Sequence, residues 1–332
     1  MKTFKLIPIL SGLLLLQIAL AVALYVAPRG YDTAPAGQPL LAGVDLDAVD
    51  ALSIESRDGK TRLVKRDGRW WVEALDFPAD ADQLEKLFDA LRNMQKGWPV
   101  ATTDEAAERF KVAESDFERR LTLEKDGEPV AVLYVGSSPG VRRAHVRLDD
   151  EAPIYAVEFS VYQARSGDQD WIDENILKRA ADAVTRIEVD GLALIHDDDG
   201  AWRLPDPDPG KETDPDQARL LADKILNLQV ERVLGREPAE RDKLNEPAHR
   251  IRLSFKDGGP VEYAVSPLED KAWILKSSDN DHYFRVAQWA LRSVFETDRA
   301  KLQRAAQPPA EEEEKADTPA ADAEAAEETK DG

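Results

Sequence analysis

Alternating apolar and polar residues occur in short runs along the chain and predict β-strands. The runs ALSIES and TRLVKR flank Asp58-Gly59, and a second pair, Asp67-Gly68, precedes RWWVEA. Asp-Gly between alternating runs is a strong hairpin signal, because these residues tolerate the positive φ angles of a tight turn. Further runs of this kind are RLTLEK, VAVLYV, AHVRL and IYAVE. The pattern predicts a mainly antiparallel sheet.

A helical period follows the third predicted strand. In DADQLEKLFDALRNMQ, from Asp80 to Gln95, apolar side chains recur at steps of three and four residues. That spacing places them on one face of an amphipathic helix. The stretch DPDQARLLADKILNLQ, from Asp214 to Gln229, has the same spacing. Each stretch is predicted to be the main helix of its region, and short closing helices are predicted in SVYQARS and AQWALRSVFE.

These two helical stretches belong to an internal repeat. They are identical at 7 of 16 aligned positions. Upstream, DAVDALSIES…GRWWV faces DAVTRIEVDG…GAWRL, and downstream RLTLEKDGEPVAVLYV faces IRLSFKDGGPVEYAV. Matches in the same order at a nearly constant offset indicate one unit used twice. The predicted fold is α+β, with two tandem repeats of a mainly antiparallel sheet over residues 46–179 and 180–303 and one main helix per repeat.

The longest apolar run lies near the N-terminus. From Leu6 to Val26 only Ser11 and Gln17 are clearly polar. A helix of this length spans about 30 Å, the thickness of a bilayer core. We therefore predict a transmembrane helix over residues 6–26. A cleaved signal peptide is the alternative, with AVA as its cleavage site, although the run exceeds the roughly 7–15 residues typical of such a core.

The charges beside this run predict its orientation. Lys2 and Lys5 precede it, and basic residues favour the cytoplasmic side. Residues 1–5 are then cytoplasmic, residues 27–45 form a linker, and the bulk of the chain is periplasmic or otherwise extracytoplasmic. The predicted localisation is the inner membrane, with a single pass.

Composition limits the partners. The formal net charge is −21, and the stretch from Ala305 to the end contains 10 acidic and 2 basic residues. A segment without large apolar side chains cannot offset its ordering entropy, so residues 304–332 are predicted to form an acidic disordered tail. The folded part remains acidic, which argues against nucleic acid as a partner. The absence of cysteine excludes disulfides, a lipoprotein anchor and thiolate metal sites.

The aspartates at the start of each main helix could be read as a metal or acid/base site. Their spacing favours helix capping: Asp80 with Gln83, and Asp214 with Gln217, have the positions of a capping box. Pro215 falls at the first helical position, where its missing N–H is tolerated. We assign these four residues a structural role.

Other candidate chemistry is weaker. HDDDG, from His196 to Gly200, could hold a cation, but its repeat counterpart keeps only the final Asp-Gly of a tight turn. VGSSPG, from Val135 to Gly140, could be a nucleophile loop, but its counterpart lacks the paired serines. No catalytic, metal or cofactor residue is predicted, and an enzyme with a scattered site remains a hypothesis. Trp70 and Trp202 recur at the same repeat position and are predicted to be scaffold residues.

The chain resembles the bacterial family catalogued as domain of unknown function 4340. The resemblance rests on the anchor, on DAVDALSI…GRWWV with its recurrence, and on RFKVAESDFERRLTLEKDG and DKLNEPAHRIRLSFKDG. In the family these last segments often contain Gly-Leu-x-x-Pro. This chain has Lys-Val in the first segment and keeps the proline only as Pro247.

Proteins of this family are often encoded beside ABC transporter subunits similar to those of gliding-motility systems. The resemblance therefore implies a non-enzymatic extracytoplasmic accessory or substrate-engaging subunit, with an ABC permease and ATPase as partners. A second hypothesis is a periplasmic scaffold that binds a protein or polysaccharide through a cleft between the repeats.

Overall fold

The computed structural model describes residues 37–306, together with residues 14 and 17 singly. Within these residues the chain forms two eight-stranded sheets, two two-stranded sheets and a few helices. Neighbouring strands within each sheet run antiparallel. The structure confirms the predicted α+β class with mainly antiparallel sheet.

The predicted anchor and tail fall largely outside this part of the chain. Residues 14 and 17 are helical, and the rest of the segment from Leu6 to Val26 lies outside the described residues. The tail beyond residue 306 lies outside them as well. In the described chain, no helix has the length and apolar character needed to cross a membrane.

Twenty strands and four α-helices make up the described fold. The strands are β1 (Gln38–Pro39), β2 (Ala51–Glu55), β3 (Lys60–Arg66), β4 (Arg69–Val72), β5 (Phe77–Pro78), β6 (Gln95–Lys96), β7 (Arg119–Lys125), β8 (Glu128–Val135), β9 (Arg143–Leu148), β10 (Ile154–Glu158), β11 (Val184–Val189), β12 (Leu192–His196), β13 (Trp202–Arg203), β14 (Lys211–Thr213), β15 (Arg232–Gly235), β16 (His249–Phe255), β17 (Val261–Leu268), β18 (Ala272–Ser277), β19 (Tyr283–Ala287) and β20 (Gln303–Ala305). The helices are α1 (Ala81–Arg92), α2 (Asp104–Arg109), α3 (Pro215–Leu226) and α4 (Gln288–Phe295).

The two large sheets share most of their strand order. The first runs β10-β9-β8-β7-β2-β3-β4-β5, and the second runs β13-β12-β11-β16-β17-β18-β19-β15. Seven neighbouring strands correspond in chain order and in spatial order. In the first sheet they are β4-β3-β2-β7-β8-β9-β10, and in the second they are β13-β12-β11-β16-β17-β18-β19. Each sheet has one further strand, and the two lie at opposite edges of this shared order: β5 extends the first sheet beyond β4, and β15 extends the second beyond β19.

Local sequence explains how these strands and helices form. In β3 the inward side chains Thr61 and Leu63 are buried and their neighbours are more exposed, which is the period-two pattern of a strand with one face on the core. Asp67 and Gly68 have φ angles of 50° and 79° and join β3 to β4 in the predicted two-residue turn. Helix α1 buries its apolar stripe, Leu84, Leu87, Phe88 and Leu91.

The predicted closing helices have different outcomes in the two sheets. In the second sheet α4 follows β19 directly, as AQWALRSVFE predicts. In the first sheet only a three-residue 3₁₀ turn, Val161–Gln163, forms within SVYQARS. That prediction was wrong in length, because the segment has few apolar residues at helical spacing and ends in polar residues and glycine. Helix α2, which was not predicted, is capped by Thr103, whose Oγ1 accepts a hydrogen bond from the Ala106 N–H at 3.3 Å.

One hydrophobic core extends across both sheets. At their junction the buried ring of Phe77 on β5 is edge-on to Phe284 of β19 at 5.8 Å and to His282 at 5.2 Å between centroids. The Nε2 of His282 lies 3.1 Å from the carbonyl oxygen of Leu75. Because a carbonyl only accepts, Nε2 carries the hydrogen and donates across the junction.

Polar contacts flank this aromatic cluster. Asp76 accepts hydrogen bonds from Arg236 and from Arg66, each at 2.7 Å, and these two arginines lower the pKa of its carboxyl group. The side chain of Gln169 donates to the Val233 carbonyl and accepts from the Val233 N–H, each at 2.9 Å. The two sheets are therefore joined by packed aromatic rings and by hydrogen bonds of polar side chains.

Candidate functional site

The aspartates at the helix starts hold backbone N–H groups. Asp80 is the N-cap of α1, and its Oδ1 accepts a hydrogen bond from the Gln83 N–H at 3.0 Å. Asp214 is the N-cap of α3, and its Oδ1 accepts from the N–H groups of Asp216 and Gln217 at 3.1 Å each. These contacts satisfy helix N–H groups that have no partner inside the helix.

The reciprocal half of the expected capping box is replaced by longer-range contacts. The side chain of Gln83 donates to the carbonyl oxygen of Asp170 at 2.8 Å, so it does not turn back toward Asp80. The N–H of Asp80 donates instead to the Trp171 carbonyl at 2.8 Å. The N–H of Asp214 donates to Leu302 in the same way, at 2.9 Å. In both helices the N–H of the capping aspartate is thus bound by a backbone carbonyl from a distant part of the chain and not by the glutamine side chain of a capping box. The local sequence could not indicate this acceptor.

The repeated tryptophans pack against their own sheets. Trp70 is half-buried and its ring lies 5.6 Å from that of Phe88 on α1. Trp202 is buried, and its ring stacks on His196 at 4.3 Å with an interplanar angle of 9°. Trp202 is part of the core and Trp70 packs against it; their scaffold role stays a prediction.

The HDDDG segment forms an ion-paired turn. Asp197 and Asp199 both pair with Arg203, the latter at 2.6 Å, and Nδ1 of His196 lies 3.0 Å from the Val184 carbonyl. The N–H of Gly200 donates to Asp197 at 2.9 Å. This turn is longer than the predicted tight turn, because five residues lie between the end of β12 at His196 and the start of β13 at Trp202. Residues 37–306 contain no group of three or more histidine and acidic side chains placed to hold a metal ion.

The VGSSPG segment places a serine beside a histidine. Nδ1 of His145 lies 2.8 Å from the Ser137 carbonyl and 3.1 Å from Ser137 Oγ. The carbonyl only accepts, so Nδ1 carries the hydrogen and cannot take a proton from the hydroxyl. That hydroxyl lies 3.2 Å from the Phe110 carbonyl. Burial lowers the pKa of His145. The arrangement holds the loop and does not activate a nucleophile.

Two surface grooves are the better candidates for function. The first groove lies beside α1 and consists of two adjoining cavities of about 650 and 610 Å³ that share Asn93, Arg142 and Glu158. Lys86 and Asp89 of α1 line one cavity. Arg142 has a φ angle of 56°, and its carbonyl accepts a hydrogen bond from the Phe159 N–H at 3.1 Å.

The second groove lies beside α3 and has a volume of about 410 Å³. Its residues come from the segment that joins the two sheets, from the end of α3 and the turn after it, and from the start of α4. They are Glu174, Asp223, Lys224, Asn227, Leu228, Gln229, Val230, Glu231, Ala287, Trp289 and Ala290. Trp289 is 78% exposed, so a large aromatic face is open to solvent at this site.

The two grooves occupy equivalent places in their sheets. Asp89 and Asn93 line the first, and their aligned partners Asp223 and Asn227 line the second. Each asparagine is the C-cap of its helix, and its N–H donates to the carbonyl of the aspartate four residues earlier, at 3.0 Å. The remaining wall of each groove is formed by residues at and just after the end of a strand. This strand is β10 in the first groove and β19 in the second.

The rims of the grooves differ in charge. In the first groove, Lys86 and Arg142 lie among the lining residues together with two carboxylates, and Arg143 and Lys96 extend the adjoining cavity. In the second groove three carboxylates face one lysine. Lys224 donates to Ser293 Oγ at 2.7 Å. The first rim is therefore mainly basic and the second mainly acidic.

Comparison with known proteins gives one match. A family model with the description "Domain of unknown function (DUF4340)" matches residues 70–247. The span begins in β4, ends before β16, contains both main helices and covers more than half of the chain. No curated protein and no solved structure matches the chain.

Proposed function

Because the chain belongs to the DUF4340 family, whose description assigns no activity, we propose a function from the geometry of its grooves and from its sequence. The protein is a non-enzymatic extracytoplasmic accessory or substrate-engaging subunit of an envelope ABC transport system. An ABC permease and ATPase are its proposed partners.

The observation that carries this proposal is the pair of equivalent grooves. In each groove a neighbouring arginine holds one carboxylate: Arg92 holds Asp89 at 2.7 Å in the first, and Arg285 holds Glu231 at 2.9 Å in the second. Groups fixed in this way suit recognition of a surface. The exposed ring of Trp289 adds the type of side chain that is enriched at protein interfaces.

The proposed location follows from the first residues of the chain. An anchor from Leu6 to Val26 with a cytoplasmic N-terminus would hold both grooves on the outer side of the inner membrane. The first described strand, β1, begins at Gln38, so about a dozen residues would separate the anchor from the fold.

We also propose that the two sheets are repeats of one duplicated unit, over residues 46–179 and 180–303. The shared order of seven strands and the equivalent capped helices support this. Duplication would present two related binding surfaces on one chain, which suits an accessory subunit that contacts more than one partner.

Affinity purification from native membranes in mild detergent tests the proposed function. We expect a tagged full-length chain to recover a permease and an ATPase. The double variant Arg142→Ala with Trp289→Ala should reduce that recovery. Tyr162→Ala, an aromatic residue with 80% exposure that does not line either groove, is the matched control. Recovery of the tagged chain without either transporter subunit would refute the proposal.

A periplasmic scaffold for a protein or polysaccharide is the second candidate. Glu174 belongs to the segment between the two sheets and lines the second groove, so this groove is an opening beside the junction. An exposed tryptophan can stack on a sugar ring as well as on a protein. Binding to a glycan array by the full chain, lost in Trp289→Ala and without any transporter subunit co-purifying, would favour the scaffold.

A further inference from the structure

Trp289 is held in an unusual position for a large aromatic residue. It is the second residue of α4 and 78% of it is exposed. The floor beside it is apolar, formed by Leu228, Val230, Ala287 and Ala290. A flat aromatic face above a shallow apolar floor offers contact to a side chain that enters the groove.

Acidic residues from three separate segments line the same groove. Glu174 precedes the second sheet, Asp223 lies on α3, and Glu231 precedes β15. Asp223 has Arg219 at 3.6 Å and Glu231 has Arg285 at 2.9 Å. Among the described residues, no cationic side chain lies within ion-pair distance of Glu174.

The helix ends contribute charges of both signs. The C-terminal end of α3, capped by Asn227, carries a partial negative charge, and the N-terminal end of α4 carries a partial positive one. These two contributions oppose each other. Lys224, the single lysine of the lining, is turned to Ser293. Three acidic residues against one lysine leave the lining net acidic, and Glu174 is the one of the three without an ion-pair partner among the described residues.

We propose that the second groove binds a cationic side chain, an arginine or a lysine, presented by a partner protein. The proposal rests on the proposed function and specifies the chemistry of its partner. The cation lies over the ring of Trp289, where the negative face of the aromatic system attracts it. Glu174 provides the charge partner. An arginine also stacks its planar guanidinium on the indole.

The first groove provides an internal contrast. At the equivalent place its rim carries Lys86 and Arg142. Two residues after the strand end, Ser160 of the first groove stands where Trp289 stands in the second. The first groove therefore lacks both the aromatic ring and the acidic excess of the second, although both are built on the same pair of elements.

Calorimetric titration of the full-length chain in detergent tests this inference. The probe is a capped pentapeptide with two arginines, and its counterpart carries citrulline, which keeps the shape and lacks the charge. We expect the arginine peptide to bind, and the citrulline peptide to bind at least about fivefold more weakly. Trp289→Ala should weaken arginine-peptide binding by about two- to fivefold, the scale of an exposed cation–π contact. Glu174→Gln should weaken it by about twofold.

Matched controls separate the groove from the rest of the surface. Tyr162→Ala removes an equally exposed aromatic ring, and Glu85→Gln removes an exposed carboxylate on α1 that lines neither groove. Both should bind the arginine peptide as the wild type does. Binding should also weaken as salt is raised, since exposed charges are screened.

Several results would overturn the inference. Equal binding of the two peptides would mean that the groove binds an apolar or neutral group and does not recognise the positive charge. Equal binding by wild type and Trp289→Ala, or no binding by the wild type at millimolar peptide, would remove the site itself. These outcomes are distinct from failure of the proposed function, which only the recovery of permease and ATPase decides.

Discussion

Phe77 provides the sharpest test of how the two sheets are held together. Its side chain is fully buried and contacts Phe284 and His282 of the other sheet. Phe77→Ala removes a ring from a packed site, which costs about 3–5 kcal/mol of unfolding free energy in typical cores. We expect the upper part of that range, because the cavity would be lined by two separate sheets, each fixed by its own hydrogen bonds.

The magnitude decides what should be observed. A protein of this kind has about 5–15 kcal/mol of total stability, so the loss is a large share of it. Because the contact joins the two sheets, we expect urea unfolding of Phe77→Ala either to shift strongly to lower urea or to separate into two transitions. Hydrogen exchange read by mass spectrometry, with peptides from each sheet, distinguishes these outcomes.

Phe88→Ala is the matched control. Phe88 of α1 is also buried, but its aromatic partner, Trp70, lies on β4 of the first sheet, so this ring pair does not join the two sheets. This variant should be destabilised without separating the transitions of the two sheets. The reasoning is refuted if Phe77→Ala lowers stability by less than about 1 kcal/mol and its peptides from both sheets exchange as in the wild type.

Three further predictions follow from the structure. Asp80→Ala and Asp214→Ala should each lower the unfolding free energy by about 1 kcal/mol in urea titrations, with the asparagine variants close to wild type. Burial lowers the pKa of His282, so the unfolded chain binds the proton more readily; stability should fall as the pH drops below about 6.5, and His282→Gln should flatten that slope. Ser137→Ala should leave ester hydrolysis at the wild-type background, because the hydrogen on His145 Nδ1 points to a carbonyl.

Local features of the chain could be predicted from the sequence. The alternation in ALSIES and TRLVKR corresponds to β2 and β3, and the helical period after Asp80 corresponds to α1. These features are local, because a strand or helix with one buried face shows its period in its own residues. The start of α1 at Ala81 follows in the same way from the aspartate before it.

Contacts between distant segments could not be predicted. Gln83 bonds Asp170, which is 87 positions away along the chain, and nothing near Gln83 indicates that acceptor. The second groove joins Glu174, Asp223 and Trp289, which only the packing of α4 on α3 brings together. Nothing in the sequence distinguishes the exposed Trp289 from a tryptophan such as Trp171, which is fully buried.

The two grooves show which similarities packing requires and which it does not. Asn93 and Asn227 are identical because each caps its helix, and the cap serves the fold. Capping places no such requirement on Lys86, which is aligned with Leu220. The same holds for Ser160, which occupies the position of Trp289 in the other groove. Lys86, Leu220 and Trp289 are exposed. Exposed positions contribute little to stability, so the fold leaves them free to differ in charge and size between the two grooves. If the proposed function holds, these are the positions at which the two grooves would distinguish their partners.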